Sequence, residues 1–311
     1  MAAVAGVDVG GTNITAARVE GGVVTLREKR ATPHTGPDAV RDAIAEAVRA
    51  LGEVDAVGVG VPGPVGRDGV VHSTANIGGF DEPTPIGSMI SDALGGLPVG
   101  VGNDANLGAL GEVRHGAGQG SRFLLAVWLG TGVGGGLVLD GQPYIGAFGG
   151  AGEVGHMVAV PGGAECSCGR RGCLEAYAGR SGMERAARLA AANGEETRLI
   201  KAGKGDQPIK SGRWAKAVAK GDPVATRLLD DAVRALGHTL GSLINLLDVD
   251  TIVFGGGLTE KLGQPLIDRI AEATHPVVML PHRRRSMVEA ALGDDAGVLG
   301  AAEYALSQRR G

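Results

Sequence analysis

Short apolar runs that stop at glycine alternate along this chain with longer stretches whose apolar residues recur every three or four positions, the pattern of strands interleaved with helices. Ala3 to Val7 reads as a strand running into Asp8-Val9-Gly10-Gly11-Thr12. Strands at Ile14 to Val19 and Val23 to Arg27 flank Glu20-Gly21-Gly22, which predicts an antiparallel meander with the glycine pair at a turn. Pro37 opens a helix to about Leu51: its ring pre-sets the first helical residue, and Val40, Ile44, Ala47, Val48 and Leu51 then share one stripe. Val54 to Val61 returns as a strand ending at Pro62-Gly63-Pro64, and Ile86 to Leu94 is helical. The strand Val99 to Val101 leads into the polar group Asn103, Asp104 and Asn106.

The second half repeats this grammar. Phe123 to Leu129 is a strand followed by a glycine-rich loop, and Gly134 to Leu139 is a strand turning at Asp140-Gly141. Met183 to Ala192 is helical, and Asp222-Pro223 caps and starts the longest helix, to about Leu247. The strand Thr251 to Phe254 runs into Gly255-Gly256-Gly257, and Asp295 to Ser307 closes the chain as a small-residue helix. Glycine loops thus close strand pairs twice, at residues 10 and 11 and at 130 to 136. Two α/β domains flanking a cleft, each offering a loop to the same anionic ligand, would produce such a weak repeat.

Composition sharpens this picture at glycine, which supplies 56 of 311 residues, well above the roughly 7% that is ordinary and without collagen's three-residue period. Glycines gathered where apolar runs end imply tight turns and backbone brought close to ligands. The formal net charge of -4 gives no global positive field for nucleic acid or acidic lipid. The densest basic stretch, Lys201 to Lys220 with Lys204, Lys210, Arg213 and Lys216, reads as a solvated face, and Arg283, Arg284 and Arg285 as a solvated turn. His34, His72, His115, His238, His275 and His282 lack ligand spacing and read as surface or packing residues. No uninterrupted apolar run reaches membrane-spanning length, and the start lacks the basic-then-apolar form of a secretory signal, so a cytoplasmic protein without membrane or nucleic-acid partners is expected.

Candidate chemistry falls in four places. Asp8-Val9-Gly10-Gly11-Thr12 sets a carboxylate at a strand end before two residues without Cβ and a hydroxyl; Gly10 and Gly11 can turn N–H groups toward phosphate oxygens while Asp8 holds Mg²⁺ directly or through water. An ordinary Gly-Gly turn is the alternative. Leu129-Gly130-Thr131-Gly132-Val133-Gly134-Gly135-Gly136 and Gly255-Gly256-Gly257 offer two more stretches of accessible backbone. Neither matches the lysine-terminated phosphate loop or the dinucleotide fingerprint, yet three such loops point to a nucleotide. Finally, Cys166, Cys168 and Cys173 lie within eight residues, with His156 ten before the first. Three thiolates and one imidazole are the donor set of a closed structural Zn²⁺ site, and Arg170 and Arg171 stand close enough in sequence to offset its excess negative charge.

Taken together, Asp8 to Thr12, Gly102-Asn-Asp-Ala-Asn106, Leu129 to Gly136, Gly152-Glu-Val-Gly-His156 and Cys166-Ser-Cys-Gly-Arg-Arg-Gly-Cys-Leu-Glu175 resemble the ROK family of sugar kinases and sugar-responsive repressors, within it the bacterial glucokinases, over almost the whole chain. The resemblance implies the actin-like, ribonuclease-H-like ATPase fold, with a small domain of 1–115 plus 293–311 and a large domain of 116–292 carrying the zinc loop. It implies that ATP with Mg²⁺ donates to the 6-hydroxyl of a hexose, glucose foremost, with N-acetylglucosamine, N-acetylmannosamine and a polyphosphate donor as alternatives. Gly130, Thr131 and Gly132 would contact the nucleotide phosphates, and Gly255 to Gly257 the adenosine. The acceptor hydroxyl must lose its proton as it attacks phosphorus; the resemblance gives that base role to Asp104, although Asn103-Asp104 also reads as a helix cap. Gly63, Asn103, Glu153, His156 and Glu175 would complete the sugar clamp, His156 serving metal and sugar at once. Glycines at 152 and 155 argue for a loop there rather than a helix. The repressors carry a helix-turn-helix domain before the first phosphate motif, where this sequence has seven residues, so the enzyme is expected. Family likeness also implies a homodimer or a dimer of dimers. Asn13, where relatives carry lysine, and Phe80, where tryptophan is usual after Asn76-x-Gly-Gly, depart from the pattern.

Overall fold

The computed structural model describes residues 2–74, 77–200 and 207–308; Asn76, Lys201 and Lys204 of the sequence reading lie outside them. The elements follow in chain order as β1 (Ala3–Val9), β2 (Asn13–Glu20), β3 (Val23–Ala31), α1 (Pro37–Ala50), β4 (Ala56–Val61), α2 (Ile86–Ala93), β5 (Val99–Asn103) and α3 (Asp104–His115). Next come β6 (Phe123–Leu129), β7 (Val133–Leu139), β8 (Gln142–Pro143), α4 (Glu175–Ala178), α5 (Arg180–Ala192), α6 (Ser211–Ala219) and α7 (Pro223–Leu247). The chain ends with β9 (Thr251–Gly255), α8 (Gly257–Leu262), α9 (Gln264–Thr274), β10 (Ser286–Glu289) and α10 (Asp295–Gln308).

Every element expected from the pattern is present; β1, β2, β5, β7, β9 and α10 run a residue or two longer than expected, whereas α1, β4 and α2 are a residue or two shorter. The expected stripe of α1 is buried, and Asp222 caps α7 by accepting from the Ala225 N–H. The sequence reading missed α4, α6, α8, α9, β8 and β10. Of these, α6 occupies half of the basic stretch: Lys216 is exposed while Trp214 and Ala217 turn into the core, so a solvated face coexists with a buried one. Arg285 is a correction. Its side chain is only 10% exposed and reaches the Asp248 carboxylate at 2.8 Å, so it ties a loop to the end of α7 instead of lying in a solvated turn.

The chain divides into two compact units, one of Met1–Ala126, Gly136–Gly152 and Ala290–Gly311, the other of Val127–Gly135 and Glu153–Glu289. One five-stranded sheet runs β3-β2-β1-β4-β5, with the β1–β2–β3 meander antiparallel and β4 and β5 parallel to β1. The other runs β10-β9-β6-β7-β8. In the first unit α10 lies directly on the glycines of the sheet: a methyl on Gly6 or Gly58 would overlap the carbonyls of Val298 or Ala301. Contact this close requires glycine at both positions, since helix and sheet gain dispersion contacts there only if no Cβ intervenes. Glu112, fully buried on α3, accepts from the N–H groups of Ala117, Ala291 and Leu292, which fixes α3 to the segment that leads into α10. Among the described residues no helix is long and apolar enough to cross a membrane.

Candidate active site and metal cluster

In the first unit, parallel pairing sets β1, β4 and β5 side by side and brings their C-terminal ends together, so Asp8, Gly63 and Asn103 leave the same edge of one sheet. Asn103 is the N-cap of α3; its Oδ1 accepts from the Asn106 N–H at 3.0 Å and its Nδ2 donates to the Gly63 carbonyl at 3.1 Å. The capping reading therefore belongs to Asn103. Asp104 is the first helical residue, its Oδ1 accepting from the Ala105 N–H at 2.7 Å and from Asn103 Nδ2 at 3.2 Å. Two donors hold that oxygen, so the carboxylate has one defined orientation rather than a free rotor. Asn106 is buried and spans to Leu137 N and Ala151 O, a structural role within the same unit.

Asp8 is partly buried, and its carboxyl is pushed up from 3.8 to about 6, first by burial, then by the negative charges of Asp104 and Asp294. A carboxyl whose proton affinity is raised by neighbouring carboxylates fits a cation such as Mg²⁺, which would relieve that repulsion at Asp8. The sequence reading missed Asp294; its only signal was the acid pair Asp294-Asp295 at the head of the last helix. Gly10 and Thr12 are held by Thr32, whose hydroxyl donates to the Gly10 carbonyl and whose N–H donates to that of Thr12 at 3.0 Å.

The second unit holds the remaining candidates. Glu153 precedes a single 3₁₀ turn, Val154–His156, so the expected loop contains one short turn and no α-helix. His156 Nδ1 lies 3.9 Å from Cys166 Sγ, and Cys168 and Cys173 Sγ are 3.8 Å apart. One donor atom from each of the four residues falls within 4.8 Å of all the others. A tetrahedral ion with Zn–S bonds of about 2.3 Å sets its ligands about 3.8 Å apart, so these residues fit Zn²⁺ in separation as well as in donor type. Without the ion, hydrogen bonding from Arg170 pulls the Cys168 thiol down to about 6, its Nε lying 3.4 Å from the sulfur. Burial pushes Cys173 up to about 11. Arg171 instead donates to the Gly162 carbonyl, so of the two arginines only Arg170 is bonded to the thiols.

Glu175 Oε1 accepts from the Ser167 hydroxyl at 2.7 Å, and Oε2 from the Val133 N–H at 3.1 Å. The loop carrying Gly130, Thr131 and Gly132 is further held by Arg180 and Ser181, residues that the sequence reading did not single out. Gly255 ends β9, Gly256 takes a left-handed φ of 85°, and Gly257 starts α8, so this glycine triple is a strand-to-helix turn against the Leu129 backbone.

The ROK family model matches residues 4–308. The chain belongs to the ROK family. A Streptomyces coelicolor glucokinase is 38% identical over 310 residues, covering 96% of each chain. Among solved ROK structures, the hexokinase of Thermus thermophilus superposes with a TM-score of 0.84 at 35% identity, covering 99% of this chain and 100% of that one. The ROK glucokinase of Streptomyces griseus, solved with glucose and AMPPNP, gives 0.81 at 35% identity over the same shares. The expected actin-like ATPase fold is thereby the fold of this ROK protein.

Proposed function

We propose that this ROK protein is an ATP-dependent glucokinase, converting glucose and ATP to glucose 6-phosphate and ADP. The observation that carries the reading is the orientation of Asp104 by Asn103 Nδ2 and the Ala105 N–H at the end of β5, beside a sheet edge that also presents Asp8. The carboxylate of Asp104 is the proton acceptor for the 6-hydroxyl, and an ordinary carboxylate suffices because that proton becomes acidic only as the bond to phosphorus forms. Asn103, Gly63, Glu153, His156 and Glu175 serve the sugar, a carboxylate oxygen accepting from vicinal hydroxyls and the imidazole edge remote from the thiols donating to one. Gly130 to Gly132 present backbone donors to the donor phosphates, and Gly255 to Gly257 receive the adenosine. Mg²⁺, held by Asp8, would neutralise charge developing on the transferring phosphoryl group.

In the cluster of His156, Cys166, Cys168 and Cys173, Zn²⁺ would serve a structural purpose, fixing the loop that carries Glu153 and Glu175. The enzyme acts in the cytoplasm as a homodimer. Glucokinases at 38% and 35% identity and near-complete coverage support glucose as acceptor. A coupled assay across glucose, N-acetylglucosamine and N-acetylmannosamine, with ATP and with polyphosphate, tests the reading directly. Asp104→Asn is expected to lower kcat by about 10³-fold, within the range of lost general-base catalysis, with glucose binding retained. More than a tenth of wild-type kcat in that variant would remove Asp104 from the base role.

A further inference from the structure

We infer that the four-ligand cluster is coupled to the donor-phosphate loop through Val133, with Glu175 and Ser167 as the positioning residues, so that an ion bound by His156 and the thiols also orders the backbone that receives the nucleotide phosphates. The inference deepens the reading above and rests on it for the identity of that loop's ligand.

Cys173 and Glu175 are separated only by Leu174, which is fully buried, so a thiolate fixed at 173 leaves little freedom at 175. Ser167 stands between the ligands Cys166 and Cys168, and its hydroxyl donates to Glu175 Oε1 at 2.7 Å. Cys166 Sγ lies 3.7 Å from that same oxygen. The carboxylate is thus oriented by the cluster loop, and its other oxygen, Oε2, accepts from the Val133 N–H.

Val133 is gripped from its other side as well. Gly155, the residue before the ligand His156, lies so close to the Val133 carbonyl that a Cβ there would overlap it. Both strands of chain that bring ligands to the cluster therefore end against the same residue of the glycine loop. Around it, Arg180 N donates to the Gly130 carbonyl at 3.1 Å and Ser181 N to that of Thr131 at 3.0 Å, while Arg180 Nη2 reaches Thr131 Oγ1 at 2.7 Å. The Glu175 carboxylate occupies the place that a Cβ on Gly132 would take, so a side chain there would displace it. A glycine-rich loop has much backbone freedom to lose on binding phosphate, and contacts that pre-order it reduce that cost.

The test uses the intact chain loaded with zinc, the same chain stripped by chelator, and a zinc-loaded Ser167→Ala variant that keeps all four ligands. Amide hydrogen exchange is followed over residues 130–135, and binding of a non-hydrolysable ATP analogue is measured without sugar. Stripping is expected to lower protection at Val133 by about tenfold or more, as local opening becomes easier. Analogue affinity should fall about three- to tenfold in Ser167→Ala at unchanged zinc content, the worth of one hydrogen bond. Unchanged protection at Val133 and unchanged analogue affinity in Ser167→Ala would overturn the coupling, even if the stripped chain unfolds. If the zinc-loaded wild-type chain binds no analogue, the kinase reading fails, and the exchange at Val133 alone decides the coupling.

Discussion

Replacing Asp8 by asparagine should stabilise the ligand-free protein while abolishing its use of Mg²⁺, and the gain should depend on pH in a calculable way. Burial, with Asp104 and Asp294 nearby, raises the folded-state pKa of Asp8 from 3.8 to about 6. A carboxyl whose folded pKa is raised binds its proton more tightly in the folded state. Its ionisation therefore costs stability progressively between pH 3.8 and about 6, and the cost is constant above that window. A shift of this size amounts to about 3 kcal/mol at pH 7.5, roughly half of that at pH 5 and roughly a fifth at pH 4. The amide introduced by Asp8→Asn carries no charge and escapes the penalty, less whatever it loses in an unmatched hydrogen bond. Urea unfolding of both proteins at pH 4, 5 and 7.5, in chelator and without nucleotide, measures the difference. The expected variant advantage grows with pH and levels off above about pH 6. A difference that is flat across the series, or a variant less stable at pH 7.5 than at pH 4 relative to wild type, would refute the reasoning. Adding Mg²⁺ with nucleotide should stabilise the wild type alone.

Glu112→Ala removes the acceptor of three N–H groups from a fully buried position, and is expected to cost about 3 kcal/mol or more in denaturant unfolding. Glu112→Gln, isosteric but with one acceptor oxygen fewer, should cost less. His156→Gln and Cys168→Ala should each lower zinc content and melting temperature and raise the glucose KM. A zinc-free enzyme with wild-type KM and kcat would end the link between metal and acceptor. Gly132→Ala forces the Glu175 carboxylate aside and should raise the KM for ATP by about tenfold or more, read in steady-state assays at saturating glucose; an unchanged KM would show that the loop tolerates the shift.

The sequence by itself determined the local elements and the chemical inventory. Period-two and period-3.6 patterns depend only on neighbours in the chain, so β1 to β5, α1, α7 and α10 were legible in Val, Ile, Leu and Ala spacing, and the Asp222-Pro223 cap in two residues. Donor identity was legible too, because three cysteines and a histidine can be counted before they are folded. Short helices such as α4 and α8 were not, since four to six residues give too few turns for a period to emerge. Long-range partners were hidden for a different reason. Glu112 gripping Leu292, Asp294 raising the proton affinity of Asp8, and Glu175 holding Val133 each join residues 42 or more positions apart. Such contacts are set by sheet register and helix packing, which place side chains that no local pattern relates. The glycines show the division most clearly: their number was evident at once, but only the crossing of α10 over Gly6 and Gly58 shows why a methyl group at either position has no space.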